Sequence, residues 1–231
     1  MPIFFQQQIN ESTRLGIWKI EETEEFFKGN VPLHRDVTHP HKRLQHLAGR
    51  FLLQFLFPDF PYHLIEIADT RKPFLPNEQY HFSISHCGDY AAAIVSRKNR
   101  VGIDIEIPTE KILKISKKFL NEKEDSIFNR QHSTINDRLT TQDSRLRTPN
   151  PISIGSELLT PDSRLLTLFW SAKESVFKWY GDGGVDFRKH ILLLKNDEAT
   201  ETIDCFFLKD ESELKIHYRQ FEHLVLAWVV S

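Results

Sequence analysis

The sequence predicts an α+β protein made of two halves, each a small antiparallel sheet carrying helices. Three observations predict it. Short stretches of strictly alternating character recur at hairpin-like spacing around residues 80–86, 90–96 and 101–107. Two longer segments, 40–57 with an apolar stripe at helical spacing and 165–180 ended by a glycine-rich turn, read as helices, one in each half. The final third returns to strand-like runs punctuated by turn residues. No sequence repeat is evident, yet both halves run through helices and short antiparallel strands. The expected division is 1–100 and 101–231.

Taken in order, residues 2–9 and 14–20 read as two strands around an Asn10-Glu11-Ser12 turn. An acidic helix at 21–28 stops at Gly29-Asn30. In the helix at 40–57, Leu44, Leu47, Ala48, Phe51, Leu52 and Phe55 make one stripe, and Arg43, His46 and Arg50 line an adjoining face. Pro58 and Pro61 end it, and 62–68 reads as another strand. Arg71-Lys72-Pro73 opens a proline-punctuated loop whose two basic residues are either surface decoration or anion ligands. After the three alternating stretches come a helix at 112–120 and a second one opened by Asn121-Glu122-Lys123-Glu124, which has the form of a capping box. Residues 129–163 are polar, proline-dotted and aperiodic, and are read as a flexible insertion. Beyond the helix at 165–180, Gly181-Asp182-Gly183-Gly184 turns the chain into strands at 188–194, 202–208, 213–218 and 223–230.

Composition narrows the function classes. A net charge of -2 over 231 residues gives no bulk attraction to nucleic acid or to a membrane surface. Two cysteines are too few for a disulfide scaffold and suit a reducing, cytoplasmic setting. No apolar run reaches membrane-spanning length, and Met1-Pro2-Ile3-Phe4-Phe5 lacks a secretory pattern.

The chemistry concentrates on Val101-Gly102-Ile103-Asp104-Ile105-Glu106-Ile107. As a strand it sends Ile103, Ile105 and Ile107 to one face and the paired acids Asp104 and Glu106 to the other. Such a pair repels unless water or a cation intervenes. If the three alternating stretches form a meander, Phe82, Ile84, Ala92, Ile94, Ile103 and Ile105 share one face. The acids would then share the other with Ser83, Ser85, Ala91 and Ala93 only, leaving room for a ligand. On the helix at 165–180, Trp170, Glu174 and Lys178 recur every four residues and share a face. A third carboxylate and a lysine beside Asp104 and Glu106 would suit Mg²⁺ and transfer of a phosphate-bearing group.

Three blocks, Phe82-Ser83-Ile84-Ser85-His86, Val101 to Glu106, and Trp170-Ser171-Ala172-Lys173-Glu174-Ser175-Val176-Phe177-Lys178, resemble in order the signature blocks of the 4′-phosphopantetheinyl transferases. The length is similar to the surfactin-synthetase-activating type, in which one monomeric chain contains a pseudo-twofold pair of similar subdomains with the active site at their interface. The resemblance implies transfer of 4′-phosphopantetheine from coenzyme A to a serine of an acyl or peptidyl carrier protein. It implies that Asp104, Glu106 and Glu174 hold Mg²⁺, that Glu174 takes the serine proton, and that Lys178 assists the departing 3′,5′-ADP. Ser85, His86, Arg43 and Lys72 match coenzyme A contacts, with His86 near the 3′-phosphate; Arg50 matches less closely. Arg71 stands where the family often has glycine. The competing readings are a non-catalytic module that binds carrier protein or coenzyme A, and a metal-dependent phosphohydrolase of coenzyme A.

Overall fold

The computed structural model describes residues 3–31, 37–125 and 161–231. The insertion expected at 129–163 falls, up to residue 160, outside the described residues.

Alternation builds the first hairpin. β1 (Ile3–Asn10) and β2 (Thr13–Lys19) pair antiparallel. The Asn10 carboxamide accepts from Ser12 N at 2.9 Å and closes the turn. A short helix, α1 (Glu24–Lys28), ends at Gly29, and α2 (Pro40–Leu56) starts with proline at its first position, where no backbone donor is needed. Its stripe buries Leu47, Ala48 and Leu52 completely. The strand expected at 62–68 is instead a 3₁₀ turn (Tyr62–Leu64) followed by a two-residue strand, β3 (Glu66–Ile67), paired with β4 (Pro73–Phe74). The cause is a side chain: the Tyr62 hydroxyl donates to Arg50 O on α2, and this tether curls the chain.

The meander forms only in part. β5 (His81–Cys87) and β6 (Tyr90–Ser96) pair, and the first sheet runs β1-β2-β6-β5 with α2 on its outer face. The third stretch, β7 (Val101–Glu106), leaves that sheet. It pairs with the last strand, β11 (Val225–Val230), in a five-stranded sheet ordered β7-β11-β10-β9-β8, where β8 is Ile191–Asp197, β9 Thr202–Phe207 and β10 Ser212–Gln220. The β5–β6 register also differs by one residue from the expected one. Phe82, Ile84 and His86 stand opposite Val95, Ala93 and Ala91, on the α2 side. Ser83 and Ser85 stand opposite Ile94 and Ala92, on the side of the second sheet. In a strand a slip of one residue reverses every face.

The second sheet is backed by α4 (Pro161–Tyr180), with α3 (Lys111–Phe119) beside it. The strand expected at 188–194 begins with a turn of helix, α5 (Phe187–His190), which Asp186 caps by accepting from Arg188 N and Lys189 N. One apolar cluster fills the space between α2 and the first sheet, and another that between α4 and the second. A third, with Leu15, Ile17, Ile94, Ile103, Ile105 and Trp228, joins the two sheets. The α+β class and the two helix-backed antiparallel sheets follow from these layers.

A close approach requires glycine at Gly102. A Cβ on Gly102 would lie 2.0 Å from Ser175 O, so the α4 backbone rests directly on β7 there. That close approach brings the two chemistry-bearing elements within reach of one another.

Candidate active site

β7 keeps the predicted alternation. Ile103 and Ile105 enter the core between the sheets, and Asp104 and Glu106 point toward α4. Ala227 is the cross-strand neighbour of Asp104, so β11 leaves space beside the carboxylate. From α4, the Lys178 ammonium meets Asp104 Oδ1 at 2.6 Å, and Ser171 Oγ donates to Asp104 O at 3.2 Å. From β5, Ser85 Oγ donates to Asp104 Oδ1 at 2.8 Å, and Ser83 Oγ accepts from Ile103 N at 3.2 Å. The two serines bridge the first sheet to β7, so the structure brings Ser85, Asp104 and Lys178 into one cluster. Glu106 is held by Trp170, whose indole Nε1 donates to Oε1 at 3.1 Å. Trp170 was recognisable in sequence as an aromatic on the helix face of Glu174 and Lys178; its hydrogen bond was not.

Asp104 is 2% exposed, and its Oδ2 is a buried acceptor with no hydrogen-bond partner among the described residues. Burial first, then the Asp104 charge, push both Glu106 and Glu174 up to about 7. Among the described residues, no three His, Cys, Asp or Glu side chains form a ready-made ligand cage. Even so, an orphaned buried oxygen beside two carboxylates that resist ionisation is a donor set that fits a hard divalent cation. A carboxyl raised in this way binds its proton more tightly folded than unfolded. Between pH 4.5 and 7 the folded state therefore holds more protons, and stability is lost as pH rises through that window. In metal-free buffer the melting temperature is expected to fall between pH 5 and pH 8, reflecting roughly a few kcal/mol, and Mg²⁺ should restore it most at the higher pH. A flat profile with no Mg²⁺ effect would show that the carboxylates are already compensated.

A trough leads away from this cluster. A 230 Å³ cavity bounded by Lys178, Ser83, Phe177 and the Thr70–Pro73 loop adjoins a second of 460 Å³ bounded by His46, Arg50, Arg71 and His86; Arg71, Pro73 and Ile84 line both. Arg50 is 3% exposed, and its buried Nη1 has no hydrogen-bond partner among the described residues. A buried guanidinium without a counter-charge is costly, and its place on a cavity wall marks that wall for an anion. Arg71 has φ 67°, a left-handed conformation that favours glycine and costs a bulky residue about 1–3 kcal/mol. Lys72 donates to Trp179 O at 3.3 Å, and burial lowers it to about 8. His86 stands at the solvent rim; desolvation by its surroundings, then the Lys178 charge, hold its imidazole below the ordinary range. Arg43 is not part of this wall. It pairs with Glu24 at 2.8 Å and donates to Val37 O at 2.8 Å. The line of Arg43, His46 and Arg50 thus splits, its first member clamping α1 to α2 and the other two facing the trough.

An acid pair on one strand, a Glu and a Lys one turn apart on the helix lying against it, and a basic trough leading from them thus lie together. A family model of the 4′-phosphopantetheinyl transferase superfamily matches residues 100–229, and the chain belongs to that family. It is similar to enterobactin synthase component D of Escherichia coli (strain K12), 33% identical over 143 residues that cover 59% of this chain and 54% of that protein. The protein of the same name from Salmonella typhi is 34% identical over 142 residues, covering 61% and 49%. The chain thus spans about half the length of the relatives it matches.

Proposed function

We propose that this protein transfers 4′-phosphopantetheine from coenzyme A to a serine of an acyl or peptidyl carrier protein and releases 3′,5′-ADP. The observation that carries the reading is the convergence of Asp104, Glu106, Glu174 and Lys178 at the end of a basic trough. Coenzyme A has a pyrophosphate and a separate 3′-phosphate. The trough has cationic groups at two corresponding places, Lys178 with Lys72 at one end and Arg50 at the other, with Arg71 lining both and the His86 imidazole beside Arg50.

In the proposed reaction the serine oxygen forms a bond to the β-phosphorus as the bond to the bridging oxygen of the pyrophosphate breaks. Glu174, with a pKa near neutrality, takes the serine proton. Lys178 balances the charge on the departing 3′,5′-ADP, and Trp170 fixes the orientation of Glu106. Asp104, Glu106 and Glu174 would hold Mg²⁺, which supplies charge neutralisation to the pyrophosphate. Both helix-backed sheets lie in one chain, which supports a monomer of the surfactin-synthetase-activating type.

The test is intact-protein mass spectrometry of apo carrier proteins incubated with the protein, coenzyme A and Mg²⁺. A gain of one phosphopantetheine, lost with EDTA, is expected. If coenzyme A is broken down while no carrier gains mass, the protein is a hydrolase. If neither happens, it is a binding module.

Arg50 gives a separate prediction about the nucleotide end. Losing one charge-assisted bond to the 3′-phosphate in Arg50→Met is expected to raise KM for coenzyme A about tenfold or more. KM for a dephospho analogue should hardly change, and the ligand-free protein should melt no lower, because an unpaired buried charge is gone. Equal KM effects on both substrates would exclude the contact.

A further inference from the structure

The described residues contain a second buried charge network, one residue away from Glu174 and pointing the other way. The Lys173 side chain is 0% exposed, and its ammonium donates to the Glu124 carboxylate at 2.7 Å, to Phe187 O at 2.8 Å and to Ile191 O at 2.8 Å. Glu124 is 1% exposed and fully used. One oxygen accepts from Leu193 N at 2.8 Å and the other from Asn121 N at 2.9 Å, within the predicted capping box. Every donor and acceptor in this pair is therefore satisfied, and the geometry at each is fixed.

A buried ion pair is weak evidence for stability, since apolar residues of similar volume often serve as well. Its contribution here is positional. The ammonium holds the main chain at Phe187, and the Phe187 ring packs on the Trp170 ring at 5.5 Å between centroids. Phe119 meets Trp170 at 5.3 Å, and Trp170 Nε1 holds Glu106. We propose that Lys173 and Glu124 are positioning residues: their ion pair fixes Phe187, Phe187 sets the Trp170 indole, and the indole orients the Glu106 carboxylate toward the cluster. The effect on turnover rests on the transferase reading, whereas the effect on the indole does not.

Two variants test this relay. Lys173→Met/Glu124→Gln removes both buried charges together, so neither is left unpaired. Phe187→Leu removes only the ring, since the bond to Lys173 uses the main-chain carbonyl. The readouts are thermal melting, the ¹H–¹⁵N indole resonance of Trp170 (assigned with Trp170→Phe), and the kinetics of carrier modification. In both variants the Trp170 indole resonance is expected to shift as its hydrogen bond weakens. Turnover should fall about 10–100-fold, the usual cost of losing an orienting partner, with KM for coenzyme A within about twofold. A cooperative melt with an unmoved indole and wild-type turnover would overturn the relay and leave the ion pair a structural brace. A shifted indole with full turnover would overturn the positioning role. If the double variant does not fold, Phe187→Leu still tests the link from Phe187 to the indole, and an unmoved indole with wild-type turnover there overturns the relay. If the wild-type protein transfers nothing, the transferase reading fails while the indole result still decides the relay.

Discussion

Glu174→Gln is expected to lower phosphopantetheine transfer by about 10²–10⁴-fold, the range for losing a general base, while the protein remains folded. The carboxylate accepts no hydrogen bond from any described residue, so the change unpicks no framework contact. It is half-buried beside Asp104, and its pKa of about 7 lets it take a proton at neutral pH without being permanently protonated. The wild-type kcat/KM should therefore rise with pH through the neutral range as Glu174 and Glu106 ionise, and the variant should show a shallower limb. The amide also removes one member of a repelling group, so the variant should melt at or above the wild-type temperature at pH 8 in metal-free buffer. Initial rates by mass spectrometry, with melting curves at two pH values, check all three expectations. Near-full turnover would remove Glu174 from the mechanism.

The parts of the site legible in sequence were those set by local periodicity. Alternation in 101–107 separated Asp104 and Glu106 from Ile103 and Ile105, and four-residue spacing placed Trp170, Glu174 and Lys178 on one helix face. Neither depends on what the element packs against. What escaped was set by distant partners. The link through Arg97-Lys98-Asn99-Arg100 has the length of a hairpin, yet Arg100 and Ser231 exchange backbone hydrogen bonds, and β7 joins a strand more than a hundred residues away. Nothing local signals that choice. The one-residue slip between β5 and β6 had the same origin, because Ser83 and Ser85 gain partners on β7 only when they face it. Arg43 and Arg50 look alike on a helical wheel, and only the position of Glu24 shows which of them is neutralised. Lys173 sat in the signature block as another charged residue; its burial depends on Glu124 and on the main chain of α5.

Asp104→Ala is expected to abolish most transfer and leave the fold standing, a combination that separates a functional carboxylate from a structural one. The buried acid interacts with everything in the cluster: Lys178 and Ser85 on one oxygen, an orphaned second oxygen, and two carboxylates whose protons it helps to retain. On the proposed reading, removing it takes away an oxygen ligand for the cation, worth several kcal/mol of charge stabilisation in the transition state, or about 10³-fold or more in rate. The Mg²⁺ concentration needed for residual activity should rise. Stability should move the other way. Lys178 is 26% exposed and can turn to water, so the lost ion pair costs little, whereas Glu106 and Glu174 are freed of a repelling neighbour. Their pKa values should fall, and the decline in melting temperature between pH 5 and pH 8 should flatten. A Mg²⁺ titration of the rate beside metal-free melting curves distinguishes the outcomes. If the metal-free melt collapses, Asp104 is a brace between β5, β7 and α4. If it holds while transfer is lost, the like charges persist at this interface because the chemistry requires them, at some expense to the stability of the empty site.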